Sequence, residues 1–182
     1  MKIACTMSNA RGGTDLLLWS LAARMQAAGV TLCGTVQTNT DCGDDKPCDM
    51  DVKILPDGPV VRISQSLGAG SRGCRLDPQA LESAIGLSEA FLPQADLLFV
   101  NKFGKQEASG RGFRPLIAEA LARDIPVLVG LNSLNAEAFE TFTGGMAERL
   151  EPTEAAVEAW LWTALGSDPD RWAATRGARQ SA

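Results

Sequence analysis

Three glycine-rich strings gather the side chains of this 182-residue chain that are equipped for chemistry. The first runs Ser8-Asn9-Ala10-Arg11-Gly12-Gly13-Thr14-Asp15. The second opens as Asn101-Lys102-Phe103-Gly104-Lys105-Gln106-Glu107 and continues through Gly110-Arg111-Gly112-Phe113-Arg114. The third goes from Arg62-Ile63-Ser64-Gln65 to Ser71-Arg72-Gly73-Cys74-Arg75-Leu76-Asp77. Segments 8–15, 62–75 and 101–114 together hold eight cations and two acids, a net +6, whereas the whole chain carries −5 and the remainder therefore −11. Glycines let the backbone approach a ligand closely and neighbouring cations supply fixed positive charge, which together suit a small phosphate-like anion. There is no histidine and no tyrosine. That excludes a Ser-His-Asp triad, a Cys-His pair, a histidine metal site and a tyrosine base, so any catalysis falls to Asp, Glu, Lys, Arg, Cys or backbone amides.

The first string has the placement of the phosphate-binding pattern G-x-x-x-x-G-K-[ST], the P-loop. Gly13 matches the second glycine, Ser8 replaces the first, Thr14 replaces the lysine and Asp15 replaces the hydroxyl that binds magnesium. The terminal phosphates of a nucleotide thereby lose their main local cation, and Arg11 is a partial substitute, because a loop guanidinium differs from a lysine at the helix start. The second string stands where a Walker B strand would end, with Asn101 in the place of the acidic magnesium anchor. Lys102 and Lys105 return positive charge from across the sheet, and Glu107 is the acid of that loop suited to orienting a water. In the third string Ser71, Arg72 and Arg75 offer hydroxyl and guanidinium groups to a tetrahedral oxyanion. The candidate anion- or nucleotide-binding residues are thus Arg11, Gly12, Gly13, Thr14, Ser71, Arg72, Arg75, Asn101, Lys102, Lys105 and Arg111, with Glu107 and Lys105 as candidate catalytic residues. Simpler roles stay open: Asp15 as a helix-start acid, Glu107 as a salt-bridge partner and the arginine loop as a solubilising one. The spacing Cys42-x5-Cys48, with Cys74, lacks the close cysteine pair of a structural zinc site, so no metal site is expected and the five cysteines are read as reduced thiols.

The elements that must position these strings alternate. Residues 2–7 read as a strand and 8–13 as a glycine loop. Leu17, Leu18, Leu21, Ala22 and Met25 then recur at helical spacing up to a cap near Gly29. A second strand is expected over 30–36. From 37 to 57 six aspartates and several turn formers break the pattern, leaving one short strand near 51–55, a turn at 56–59 and a strand over 60–64, a small β-ribbon. Asp77 and Pro78 mark the start of a helix that runs to about Phe91. Residues 95–100 and 125–131 read as buried parallel strands, with helices over 113–123, 134–142 and 153–165. The expected fold is α/β: three layers, a mostly parallel sheet with helices on both faces, P-loop-NTPase-like, plus the ribbon excursion at 37–64. Residues 1–166 form the single expected domain and 167–182 a flexible tail.

Apolar content of 45% and charged content of 21% are ordinary for a globular protein, and no apolar run is long enough to span a membrane. The acidic net charge argues against general nucleic-acid binding. The opening residues lack the order of a signal peptide, so the expected location is the cytoplasm.

At these strings the chain resembles a bacterial family of unknown function described as nucleoside-triphosphatase-like and often encoded beside molybdate-transport genes. The matching residues are 9–15, Cys48-Asp49-Met50-Asp51, 62–65 through 74–77, and 101–107 with 110–116. More distantly the chain is similar to small P-loop nucleoside triphosphatases, in which an acidic pair and a Gly-Lys-x-Glu string end the Walker B strand. Gly104-Lys105-Gln106-Glu107 keeps that string, while Asn101-Lys102 replaces the acidic pair. The resemblance implies the fold and an anion site for a nucleotide such as ATP or GTP or a molybdate-like oxyanion, with magnesium only if Asp15 or Glu107 holds it. Slow triphosphate hydrolysis through Lys102, Lys105 and Glu107, or a metal or redox protein built on Cys42, Cys48 and Cys74, are the alternatives.

Overall fold

The apolar runs expected to be buried strands are so: Leu97, Leu98, Phe99 and Val100 are all inaccessible, as are Val127, Leu128 and Val129. A strand covered on both faces needs apolar side chains at every position. In a computed structural model describing residues 2–40, 49–65, 75–170 and 172, the strands are β1 (Ile3–Thr6), β2 (Leu32–Thr40), β3 (Asp49–Leu55), β4 (Val60–Arg62), β5 (Leu97–Val100), β6 (Val127–Gly130) and β7 (Glu148–Leu150). The helices are α1 (Gly13–Ala27), α2 (Pro78–Glu89), α3 (Lys105–Ala108), α4 (Arg114–Ala122), α5 (Ala136–Thr143) and α6 (Glu154–Leu165).

One seven-stranded sheet runs in the order β4-β3-β2-β5-β6-β1-β7. The strands β2, β5, β6, β1 and β7 pair in parallel, and β3 and β4 extend the β2 edge as an antiparallel ribbon. Successive side chains point to opposite faces. Leu98, Val100, Val127 and Val129 meet α2, α4 and α5 through Leu81, Ile85, Leu116, Ile117 and Phe139. Leu97, Phe99 and Leu128 meet α1 and α6 through Leu18, Leu21, Met25, Val157 and Leu161. This is the three-layer α/β architecture.

Helix boundaries follow local chemistry. Asp77 accepts hydrogen bonds from the Gln79 and Ala80 amides at 2.9 and 3.1 Å, and Pro78 occupies the first turn, where its missing N–H costs nothing. Thr153 likewise accepts from the Ala156 amide, capping α6.

The structure departs from these expectations locally. The strand expected over 30–36 continues to Thr40 and that expected near 51–55 starts at Asp49, because continuous pairing from Gly34 with Leu55 to Thr40 with Asp49 gives a polar stretch its backbone partners. β7 has three residues on the sheet edge with two side chains exposed, too short and polar to register as an apolar run. α3 is a single turn inside the second glycine string. Trp172 returns to the core, packing edge-on against Trp162 at 6.4 Å, so the chain is anchored beyond residue 166. Residues 173–182 of the expected tail lie outside the described residues. Among the described residues no helix is long and apolar enough to cross a membrane.

Candidate functional site

The site is set by strand order. β5, β6 and β1 are consecutive in the sheet and run the same way, so the loops leaving their carboxyl ends emerge side by side, where ligands bind in open α/β sheets. Backbone bonds lock the three loops together: Phe103 donates to the Gly130 carbonyl and Leu131 to the Thr6 carbonyl, both at 2.9 Å. They enclose a cavity of about 250 Å³ lined by Met7, Ser8, Asn9, Ala10, Gly12, Thr14, Asp15, Lys102, Leu131, Asn132 and Ser133.

The first loop is tight because its glycines permit it. Gly12 has φ 71°, a left-handed conformation that a side chain would strain. A Cβ on Gly13 would lie 2.5 Å from the Ser8 hydroxyl oxygen. The loop also bonds to itself: the Ser8 amide donates to Thr14 Oγ1 at 2.9 Å, Ala10 to Ser8 Oγ at 3.2 Å and Gly13 to the Ala10 carbonyl at 2.9 Å. Those three amides are thereby spent, and Thr14, in the place of the P-loop lysine, uses its hydroxyl to brace the loop. The 15-residue α1 starts at Gly13 with no side-chain cap at Gly12, so the positive end of the helix faces the cavity.

Asp15 is almost fully buried beneath this loop. Its carboxylate accepts from Asn101 Nδ2 at 2.8 Å and pairs with Lys102 Nζ at 3.1 Å for one oxygen and 3.5 Å for the other. Both residues line the cavity, Lys102 with 31% of its side chain exposed against 5% for Asp15. An ammonium has three N–H donors, and Asp15 cannot occupy all of them in this geometry. Lys102, just beyond the end of β5, is thereby placed beside the first loop.

Of the residues expected to bind an anion, Gly12, Thr14 and Lys102 line the cavity; Gly13 and Arg11 belong to the same loop, and Asn101 anchors Asp15 behind it. Lys105, Glu107 and Arg111 are not among its lining residues. Glu107 is buried inside its own loop. One carboxylate oxygen accepts from the Gly104 amide at 2.8 Å and the other from the Phe113 amide at 3.0 Å. A Cβ on Gly112, itself at φ 62°, would sit 2.1 Å from Glu107 Oε1. Burial pushes its carboxyl above the ordinary range, beyond what the Phe113 and Gly104 amides offset, and Glu82 adds to the rise. Glu107 thus staples the loop over 104–113 instead of presenting an oxygen to a water in the cavity.

Arg75 lies elsewhere. It pairs with Asp49 at 3.2 Å, and Arg62 pairs with Asp49 and Asp51 at 2.8 and 2.9 Å, so the ribbon's own aspartates answer these cations. Asp49 belongs to β3, four strands from β1 and so roughly 19 Å away at ~4.8 Å per strand, and Arg75 is not among the residues lining the cavity. Ser71, Arg72, Cys42, Cys48 and Cys74 lie outside the described residues. Cys5 and Cys33 are buried free thiols. Asn132 and Ser133 were not expected at the site. Their signal was positional: they follow a buried strand, at the end of the sheet where ligands bind, yet carry no charge and no glycine pattern.

The chain is 34% identical over 160 residues, 87% of its length, to the molybdenum import ATP-binding protein ModC 2 of Bradyrhizobium diazoefficiens, of whose length it spans only 18%. Its fold is similar to the solution structure of a human cancer-related nucleoside triphosphatase, with a TM-score of 0.53 and 17% identity over 82% of this chain and 87% of that one. Residues 3–160 match the family described as protein of unknown function (DUF2478), and the chain belongs to that family.

Proposed function

We propose that this protein binds the phosphate end of a nucleotide, or an oxyanion of similar shape, at the cavity between the first glycine loop and Lys102. The observation that carries the reading is that the uncapped start of α1 and Lys102 line the same cavity of about 250 Å³. That volume falls below the ~300–1,000 Å³ of sites that enclose a whole drug-sized ligand. It suits a phosphate group, with a nucleoside lying outside it. Similarity to a molybdenum import ATP-binding protein supports ATP or GTP as ligands and makes molybdate the oxyanion to test, in a role connected with molybdenum uptake.

Titration calorimetry with ATP, GTP, molybdate, tungstate and sulfate tests the reading. At least one should bind, and Lys102→Ala should weaken it about tenfold, equivalent to ~1.4 kcal/mol. Absence of binding by all five at millimolar concentration overturns it. Hydrolysis with Glu107 orienting water draws little support, since both of its oxygens already accept from backbone amides.

A further inference from the structure

Resting on the reading above, we infer that the ligand is taken without magnesium, the Lys102 ammonium standing where a P-loop protein holds its metal. In that pattern the magnesium ion is held by the hydroxyl that follows the lysine and by the acid ending the Walker B strand, and it bridges the terminal phosphate oxygens. This chain puts Asp15 in the first place and Asn101 in the second. Magnesium demands near-ideal octahedral oxygen ligation, normally with carboxylates. Asn101 brings no carboxylate, and that of Asp15 is committed elsewhere. The Asp15 carboxylate is already engaged by Lys102 Nζ at 3.1 Å and by Asn101 Nδ2 at 2.8 Å. Asn101 keeps one amide oxygen without a partner among the described residues, a single neutral donor. Glu107, the other carboxylate considered for the metal, is closed off by the Gly104 and Phe113 amides.

The residues present therefore do not fit the metal, and they do fit a built-in cation. Lys102 extends from the end of β5, its charge held in place by a buried acid, and it lines the cavity. The Asp15 exchange and the Lys102 position explain each other: a carboxylate at the helix start would repel phosphate unless a cation covered it, and Lys102 is that cation. Thr14, where the usual lysine would be, is committed to the Ser8 amide. Lys102 is consequently the cation among the residues that line the cavity.

The test is titration calorimetry of ATP into the full chain, in EDTA and in excess magnesium, repeated for Lys102→Ala and for Arg123→Ala, an exposed cation remote from the cavity lining. Wild type should bind in EDTA with affinity no lower than in magnesium. In EDTA, Lys102→Ala should lose about tenfold or more, and Arg123→Ala should match wild type. Near-native circular dichroism of Lys102→Ala keeps a folding defect from imitating the loss. ATP bound only in the presence of magnesium overturns this inference while leaving the site itself intact. Undiminished binding by Lys102→Ala in EDTA also overturns it. No ATP binding in either medium removes the inference, and the oxyanion arm of the earlier titration then decides separately whether the site binds anions at all.

Discussion

Asp15 and Glu107 are both buried acids, and their partners give them opposite uses. Asp15 is held by two side chains from the end of another strand and so ties the helix start to Lys102. Glu107 is held by backbone amides within its own loop and shapes only that loop. Glu107→Gln leaves one of those amides facing an NH2 group in place of an acceptor, and is expected to cost about 1–3 kcal/mol of stability at neutral pH. The sign of the pH effect follows from burial. A carboxyl whose native value lies above its unfolded value favours the folded state most when protonated; that contribution is complete below the unfolded value and is lost as pH rises through the native one. Urea unfolding across a pH series should show wild type losing stability relative to Glu107→Gln as pH climbs through that interval, with a constant difference above it. A gain over the same interval would mean that the amides, and not burial, set the proton affinity.

At the scale of elements, the strands that position the site depend on one close approach. Gly34 has φ 99°, and a Cβ there would lie 1.9 Å from the Phe99 carbonyl oxygen, the backbone of the neighbouring strand β5. Gly34→Ala must push β2 from β5 or strain the backbone, and a loss of about 3 kcal/mol or more is expected. Equilibrium urea unfolding checks this, and a change below ~1 kcal/mol would show that the strands yield easily. Periodicity revealed β1, β5, β6 and their flanking helices because each buries apolar side chains at a regular spacing. It missed the full length of β2 and β3, where Thr38, Asn39, Thr40, Asp49 and Asp51 owe their strand conformation to cross-strand pairing that composition does not register. The third string shows the same limit. Its cations looked available in the sequence because nothing there reveals that Arg62 and Arg75 sit beside Asp49 and Asp51.

For the whole molecule, the count of +6 in three strings describes charge along the chain, and the fold redistributes it. Strand order brings two of the strings to the loops on either side of the one that follows β6 and anchors the described part of the third at the far edge of the sheet. The cavity then holds one lysine beside one aspartate, supplemented by the helix start. The same three-layer burial protects Cys5 and Cys33, whose thiols it pushes up to about 11 and about 12. Alkylation of the native protein near neutral pH, read by peptide mass, should leave both unmodified, and labelling of either within minutes would contradict the packed core. The central claim is that the loops after β1, β5 and β6 form one phosphate-binding site. Amide chemical-shift mapping during an ATP titration tests it most directly. Shifts should concentrate at Asn9, Gly12, Thr14, Lys102, Asn132 and Ser133 and require about tenfold more ATP in Lys102→Ala, whereas shifts confined to Arg62, Arg75 and the ribbon, or an unchanged midpoint in Lys102→Ala, would contradict it.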